Sequence, residues 1–131
     1  MDTLIIACSM LEDEINLALA EENCRLPVVW LERALHTYPE KLRSALQEEI
    51  DKAKADTILL TFGLCGNALA GIRSGTKRLI TPKFHDCLHM LVAGEPYAEP
   101  VLAPDCLYFT DSWFRSENFI VNEFWQCCKR L

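Results

Sequence analysis

Short apolar runs of strand length recur along the chain, and each is followed by a stretch in which apolar residues return every three to four positions. Leu4 to Cys8 reads as a buried strand. Ser9-Met10-Leu11-Glu12 then has the form of a capping box, opening a helix to about Glu22 with Ile15, Leu19 and Leu11 turned inward. After Pro27 the run Val28-Val29-Trp30-Leu31 suits a sheet interior. Tyr38-Pro39 marks the entry to a second helix, whose inward stripe is Leu42, Ala45 or Leu46, and Ile50. Glu48, Glu49, Asp51, Lys52 and Lys54 form its wet side.

The third apolar run, Thr57 to Phe62, ends in Gly63-Leu64-Cys65-Gly66, and a short helical pattern from Asn67 to Ile72 follows. Arg78 to Thr81 is the next strand, and Pro82 ends it. The segment Lys83 to Gly94 fits a helix from about Phe84 to Ala93, with His85 and His89 on one face and Cys87 opposite. It also fits a loop in which His85 and Cys87 both turn toward the strand ends before the helix begins. A long irregular connection, Glu95 to Asp105, leads to a fifth strand at Leu107 to Thr110. Asp111-Ser112 starts a last, aromatic-rich helical region.

Strands alternating with helices predict a single α/β domain over residues 1–131. The expected architecture is a three-layer sandwich around a mostly parallel four- or five-stranded sheet, Rossmann-like or flavodoxin-like. In strand order 2-1-3-4-5, the turns after the first and third strands face one crevice where the order reverses, and right-handed crossovers put all such turns on one edge. Those two turns carry Cys8 and Cys65; the next carries His85, Asp86 and Cys87, and the fifth Thr110 and Asp111.

Composition narrows the chemistry. A length of 131 residues with 50% hydrophobic and 24% charged positions describes a folded globule. A net charge of -6 argues against a broad nucleic-acid surface. No apolar run approaches the roughly 20 residues that span a bilayer, so no membrane partner is expected. The opening residues begin a strand at once, without a basic leader, which sets a cytoplasmic expectation. Seven cysteines at irregular spacing do not form a disulfide framework, and no CxxC pair is present. Any metal site must therefore gather ligands from separate elements.

Cys8, Cys65, Cys87 and His85 are the candidate metal ligands: a soft sulfur and nitrogen set for a transition metal, zinc or iron first. Asp86 or Asp111 then orients the histidine or acts as a base behind the ligands. The function expected is metal-dependent catalysis, or handling of a metal or metal-containing cofactor. Two alternatives stand beside it. In a Cys-dependent transferase or hydrolase, Cys65 is the nucleophile, His85 the base and Asp111 the orienting acid. In a metal-free regulatory domain, a small anion sits on the glycine turn at Gly63, Gly66 and Asn67. A helix starting after Cys65 would favour its thiolate.

The segments IACSMLEDEI, FGLCG, HDC and LYFTDSW together make the chain resemble the bacterial and archaeal family known as domain of unknown function 1638, over most of its length. Members are expected to show an IACG-like start, a Y-G-x-CG-like turn and an HC-containing loop. Here Ser9 follows Cys8, Phe62 occupies the aromatic position, and Asp86 separates His85 from Cys87. The resemblance implies an α/β protein and brings no activity with it. It also implies a C-terminal end shorter than in many members, where QCCKRL replaces a final strand or leaves an edge for a second copy, so a homodimer is one expected partner.

Overall fold

The computed structural model describes residues 2–32, 35, 38–92, 110–115 and 128–129. Four strands, β1 (Thr3–Cys8), β2 (Val28–Leu31), β3 (Thr57–Thr61) and β4 (Arg78–Ile80), form one all-parallel sheet in the order β2-β1-β3-β4. The helices are α1 (Glu12–Glu21), α2 (Pro39–Lys52), α3 (Cys87–Leu91) and α4 (Asp111–Phe114). The protein is therefore an α/β sandwich, with the order reversing at β1. The fifth strand expected at Leu107 to Thr110, the connection Glu95 to Asp105, His36 and the helical region beyond Arg115 lie outside the described residues, apart from Thr110 itself and residues 128–129.

Strand alternation separates the two faces of the sheet. Ile6 and Cys8 of β1, with Ile58 and Leu60 of β3 and Phe62 just beyond it, pack in one cluster with Leu42, Leu46 and Ile50 of α2. Ile5 and Ala7 are buried on the other face. Pro39 occupies the first turn of α2, where its missing N–H costs no helix bond. Leu46 is fully enclosed at 0% exposure. Leu46→Ala is expected to lower the unfolding free energy by about 2–5 kcal/mol, measured by urea denaturation, since the lost burial adds to a cavity under α2.

Three local expectations are corrected. Ser9 does not cap the first helix. Residues Ser9–Leu11 form a 3-10 turn instead, capped by the Cys8 sulfur, which accepts the Met10 N–H at 3.4 Å, and α1 starts only at Glu12. The helix expected from Asn67 to Ile72 is a series of turns. Cys65, Gly66 and Asn67 all have positive φ, at 45°, 66° and 66°, and a right-handed helix cannot begin through three such residues. Finally, β4 stops at Ile80 and the following helix begins at Cys87, not near Phe84, with Asp86 as its cap.

In place of helical hydrogen bonds, α2 holds the turn after β3. Arg43 donates from Nη2 to the Asn67 carbonyl at 3.0 Å and from Nε to the Ala68 carbonyl at 3.4 Å. Gln47 exchanges two hydrogen bonds with the backbone of Arg73, at 3.0 and 2.9 Å.

Candidate functional site

Parallel register brings the carboxyl ends of β1 and β3 level. Ala7 pairs with Thr61 across the β1–β3 ladder, so the chain leaving β3 at Phe62-Gly63 runs alongside Cys8. From there two backbone bonds tie the glycine turn to the segment before α3: Leu64 N–H to the Phe84 carbonyl at 2.9 Å, and Cys65 N–H to the His85 carbonyl at 3.3 Å. The approach is closest at Gly63, where an added Cβ would fall 2.4 Å from the Asp86 Cα and 2.7 Å from its nitrogen. Glycine is needed here for proximity. At Gly66 it serves the backbone, with φ at +66°, and an added Cβ would meet Pro39 Cγ at 3.0 Å.

This stapling brings Cys65 Sγ to 4.0 Å from Cys87 Sγ. A cavity of about 300 Å³ opens beside the pair, lined by Cys8, Met10, Leu42, Phe62, Cys65, Gly66, Asp86, Cys87, Leu88 and Thr110. Three cysteines distant in sequence thus share one cleft at the point where the strand order reverses.

Within the pair, Cys87 is moved down and Cys65 up from the ordinary thiol value. Either sulfur can donate in the Cys65–Cys87 contact; with Cys65 as donor, that bond lowers Cys87 to about 7, with help from the Gly63 amide and against burial. Cys65 moves upward, first because it is the donor to Cys87, then through burial and the negative charge of Cys87 and Cys8. The helix start expected to favour the Cys65 thiolate does not form. Cys87, by contrast, is the first residue of α3.

Asp86 caps α3, accepting the His89 N–H on Oδ1 at 2.9 Å. Burial pushes its carboxyl up, but the His89 amide, the His89 ring and the Leu88 amide outweigh that and hold it below the usual carboxylate range. The ring Nδ1 of His89 stands 2.9 Å from the same oxygen but outside hydrogen-bond geometry, so this buried nitrogen has no hydrogen-bond partner among the described residues.

The remaining sequence candidates are placed differently. His85 is absent from the cavity lining; its ring lies edge-on to His89, 5.9 Å between centroids, and it serves the site through its carbonyl. Asp111 pairs with Arg115 at 2.6 Å at the start of α4, beside the Asp13 carboxylate that Arg115 also meets. It does not line the cavity. Thr110 does, with its hydroxyl bonded to the Met10 carbonyl at 2.8 Å. Among the described residues, no three His, Cys, Asp or Glu side chains already stand close enough together to hold a metal ion.

Met10, Phe62 and Leu88 were not singled out as site residues. Their apolar side chains carry no chemical signature, and only the register of β1 and β3 with the late start of α3 puts them around the sulfurs. Gly63, expected with Gly66 and Asn67 to hold a small ligand, stands against the Asp86 backbone.

Fold and site together define a parallel α/β protein with a cleft at the carboxyl edge of its sheet lined by three cysteines. The chain belongs to the family described as protein of unknown function (DUF1638), whose model matches residues 30–130. That span contains the Cys65 turn and the Asp86-Cys87 segment, and it begins after β1 and Cys8. No curated protein and no solved structure matches the chain.

Proposed function

We propose that this protein binds a soft transition metal ion, zinc or iron, through Cys65 and Cys87 with Cys8 as the third thiolate, for metal-dependent catalysis or the handling of a metal-containing cofactor. The observation that carries this reading is the 4.0 Å separation of the Cys65 and Cys87 sulfurs. Two thiolates on one tetrahedral zinc, each about 2.3 Å from the metal, stand about 3.8 Å apart. Cys8 lines the same cavity and has to turn inward to complete the set. The His85 ring is left outside this set. Free thiols in such a set call for a reducing compartment, which favours the cytoplasm. Among the described residues, no helix is long and apolar enough to cross a membrane.

Anaerobic purification followed by titration with Zn²⁺ or Co²⁺ tests the proposal. One ion per chain, with thiolate-to-cobalt charge-transfer absorption, is expected. Cys87→Ser should weaken binding by at least about 100-fold, since one of three soft ligands is replaced by a hard, neutral oxygen. Wild-type protein that takes up no metal above background would end this reading. The Cys-dependent enzyme is then favoured by the lowered Cys87, with Cys87 in place of Cys65 as nucleophile.

A further inference from the structure

The two sulfurs that meet at 4.0 Å have a second chemistry open to them that needs no metal. Cys65 and Cys87 are free thiols in contact, and the two backbone bonds between residues 64–65 and 84–85 hold their segments side by side. A disulfide requires a sulfur separation of about 2.05 Å. The remaining gap of roughly 2 Å is within the sweep of a side-chain rotation about Cα–Cβ.

The adjoining cavity sets the reaction partner. Its volume of about 300 Å³ is at the small end of ligand pockets. Met10, Leu42, Phe62 and Leu88 supply an apolar wall, Asp86 contributes a carboxylate, and the described lining includes no lysine or arginine. With the chain itself at -6, a negatively charged substrate is opposed both at long range and at the sulfurs.

We infer that Cys65 and Cys87 are a dithiol–disulfide exchange pair whose substrates are small uncharged disulfides. One cysteine, as thiolate, attacks a sulfur of the small disulfide; the substrate S–S bond breaks, a mixed disulfide forms, and one small thiolate leaves. The second cysteine, losing its proton to water, attacks the protein sulfur of the mixed disulfide and expels the second small thiolate. The protein loses two protons and two electrons on forming an intramolecular Cys65–Cys87 disulfide, and the substrate gains them as two thiols. The exchange shares its sulfurs with the metal site proposed above but does not depend on that reading.

The test uses the full chain, reduced and freed of metal with a chelator, then exposed to bis(2-hydroxyethyl) disulfide under argon. Peptide mapping of the wild type should find Cys65 linked to Cys87, while Cys65→Ser and Cys87→Ser should stop at a mixed disulfide on the surviving cysteine. Mixed disulfides on both cysteines of the wild type, without a link between them, would overturn the pair. The anionic dithiodiglycolate, with rates normalised to those of free 2-mercaptoethanol, should form the link at least about tenfold more slowly, with the gap narrowing in high salt. Equal normalised rates would overturn the substrate class. A link without metal uptake in the separate titration defeats only the metal reading, and metal uptake without a link defeats only this one.

Discussion

Gly63→Ala is expected to lower the unfolding free energy by about 3 kcal/mol and to separate the paired sulfurs, because its new methyl group would have to occupy the space of the Asp86 backbone. The obstructing atoms are Cα, carbonyl carbon and nitrogen, so no rotamer change relieves the clash. Relief comes only by moving the glycine turn away from the α3 entry, which stretches the Leu64–Phe84 and Cys65–His85 bonds. Cys87 then loses its principal stabilising donor, and its acidity returns toward that of an ordinary thiol. Gly66→Ala is the informative comparison. It meets a ring carbon of Pro39 at 3.0 Å and carries the strain of a positive φ, for a cost of about 1–2 kcal/mol, with the Gly63–Asp86 approach left intact. Urea denaturation and the pH midpoint of Cys87 alkylation, measured on both variants, should show Gly63→Ala losing both quantities and Gly66→Ala chiefly the first. Equal behaviour of the two would refute a special role for the Gly63 contact.

The contrast between these glycines shows where sequence patterns inform and where they fail. The strands β1, β2 and β3 and the helix α2 were legible because each buries a face through a regular repeat, and their order was enough to bring Cys8, Cys65 and Cys87 to one edge. The turn after β3 was not legible in the same way. Asn67, Ala68, Leu69 and Ile72 have a helical spacing, but the backbone at Cys65, Gly66 and Asn67 is left-handed, and Arg43 and Gln47 on α2 satisfy carbonyls that a helix would have used. Those partners lie more than twenty positions away in sequence. The start of α3 was similarly ambiguous: Asp86 can be read as a helical residue or a cap, and only the cap turns Cys87 toward Cys65. The assignment of acidity to Cys65 followed from the helix that does not form. Asp111 was assigned by its place at a strand end, whereas its actual partner, Arg115, was visible four residues on.

Between pH 7 and pH 9 the protein is expected to become more stable by about 1–2 kcal/mol, because Cys87 is more acidic in the folded chain than in the unfolded one. Its folded value is lowered to about 7, first by the contact with Cys65, and so lies below the ordinary thiol range that the unfolded chain shows. In that window the unfolded chain holds a proton at Cys87 that the folded chain has released, so rising pH favours folding; the contribution is lost as pH falls through about 7. Cys65 acts in the opposite sense. Its folded value is raised, so above the ordinary thiol range the unfolded chain releases a proton that the folded chain retains, and stability declines again. A maximum near pH 9 should therefore appear in urea denaturation under reducing, metal-free conditions. Removing the donor with Cys65→Ala should flatten the rise and move the midpoint of Cys87 alkylation by iodoacetamide from about 7 back toward 9.0. Cys65→Ser, which keeps a hydroxyl in the donor's place, should retain part of both effects. A rise unchanged in Cys65→Ala would show that burial and the local amides, not the neighbouring thiol, govern Cys87, and the pairing of the two sulfurs would lose its energetic basis.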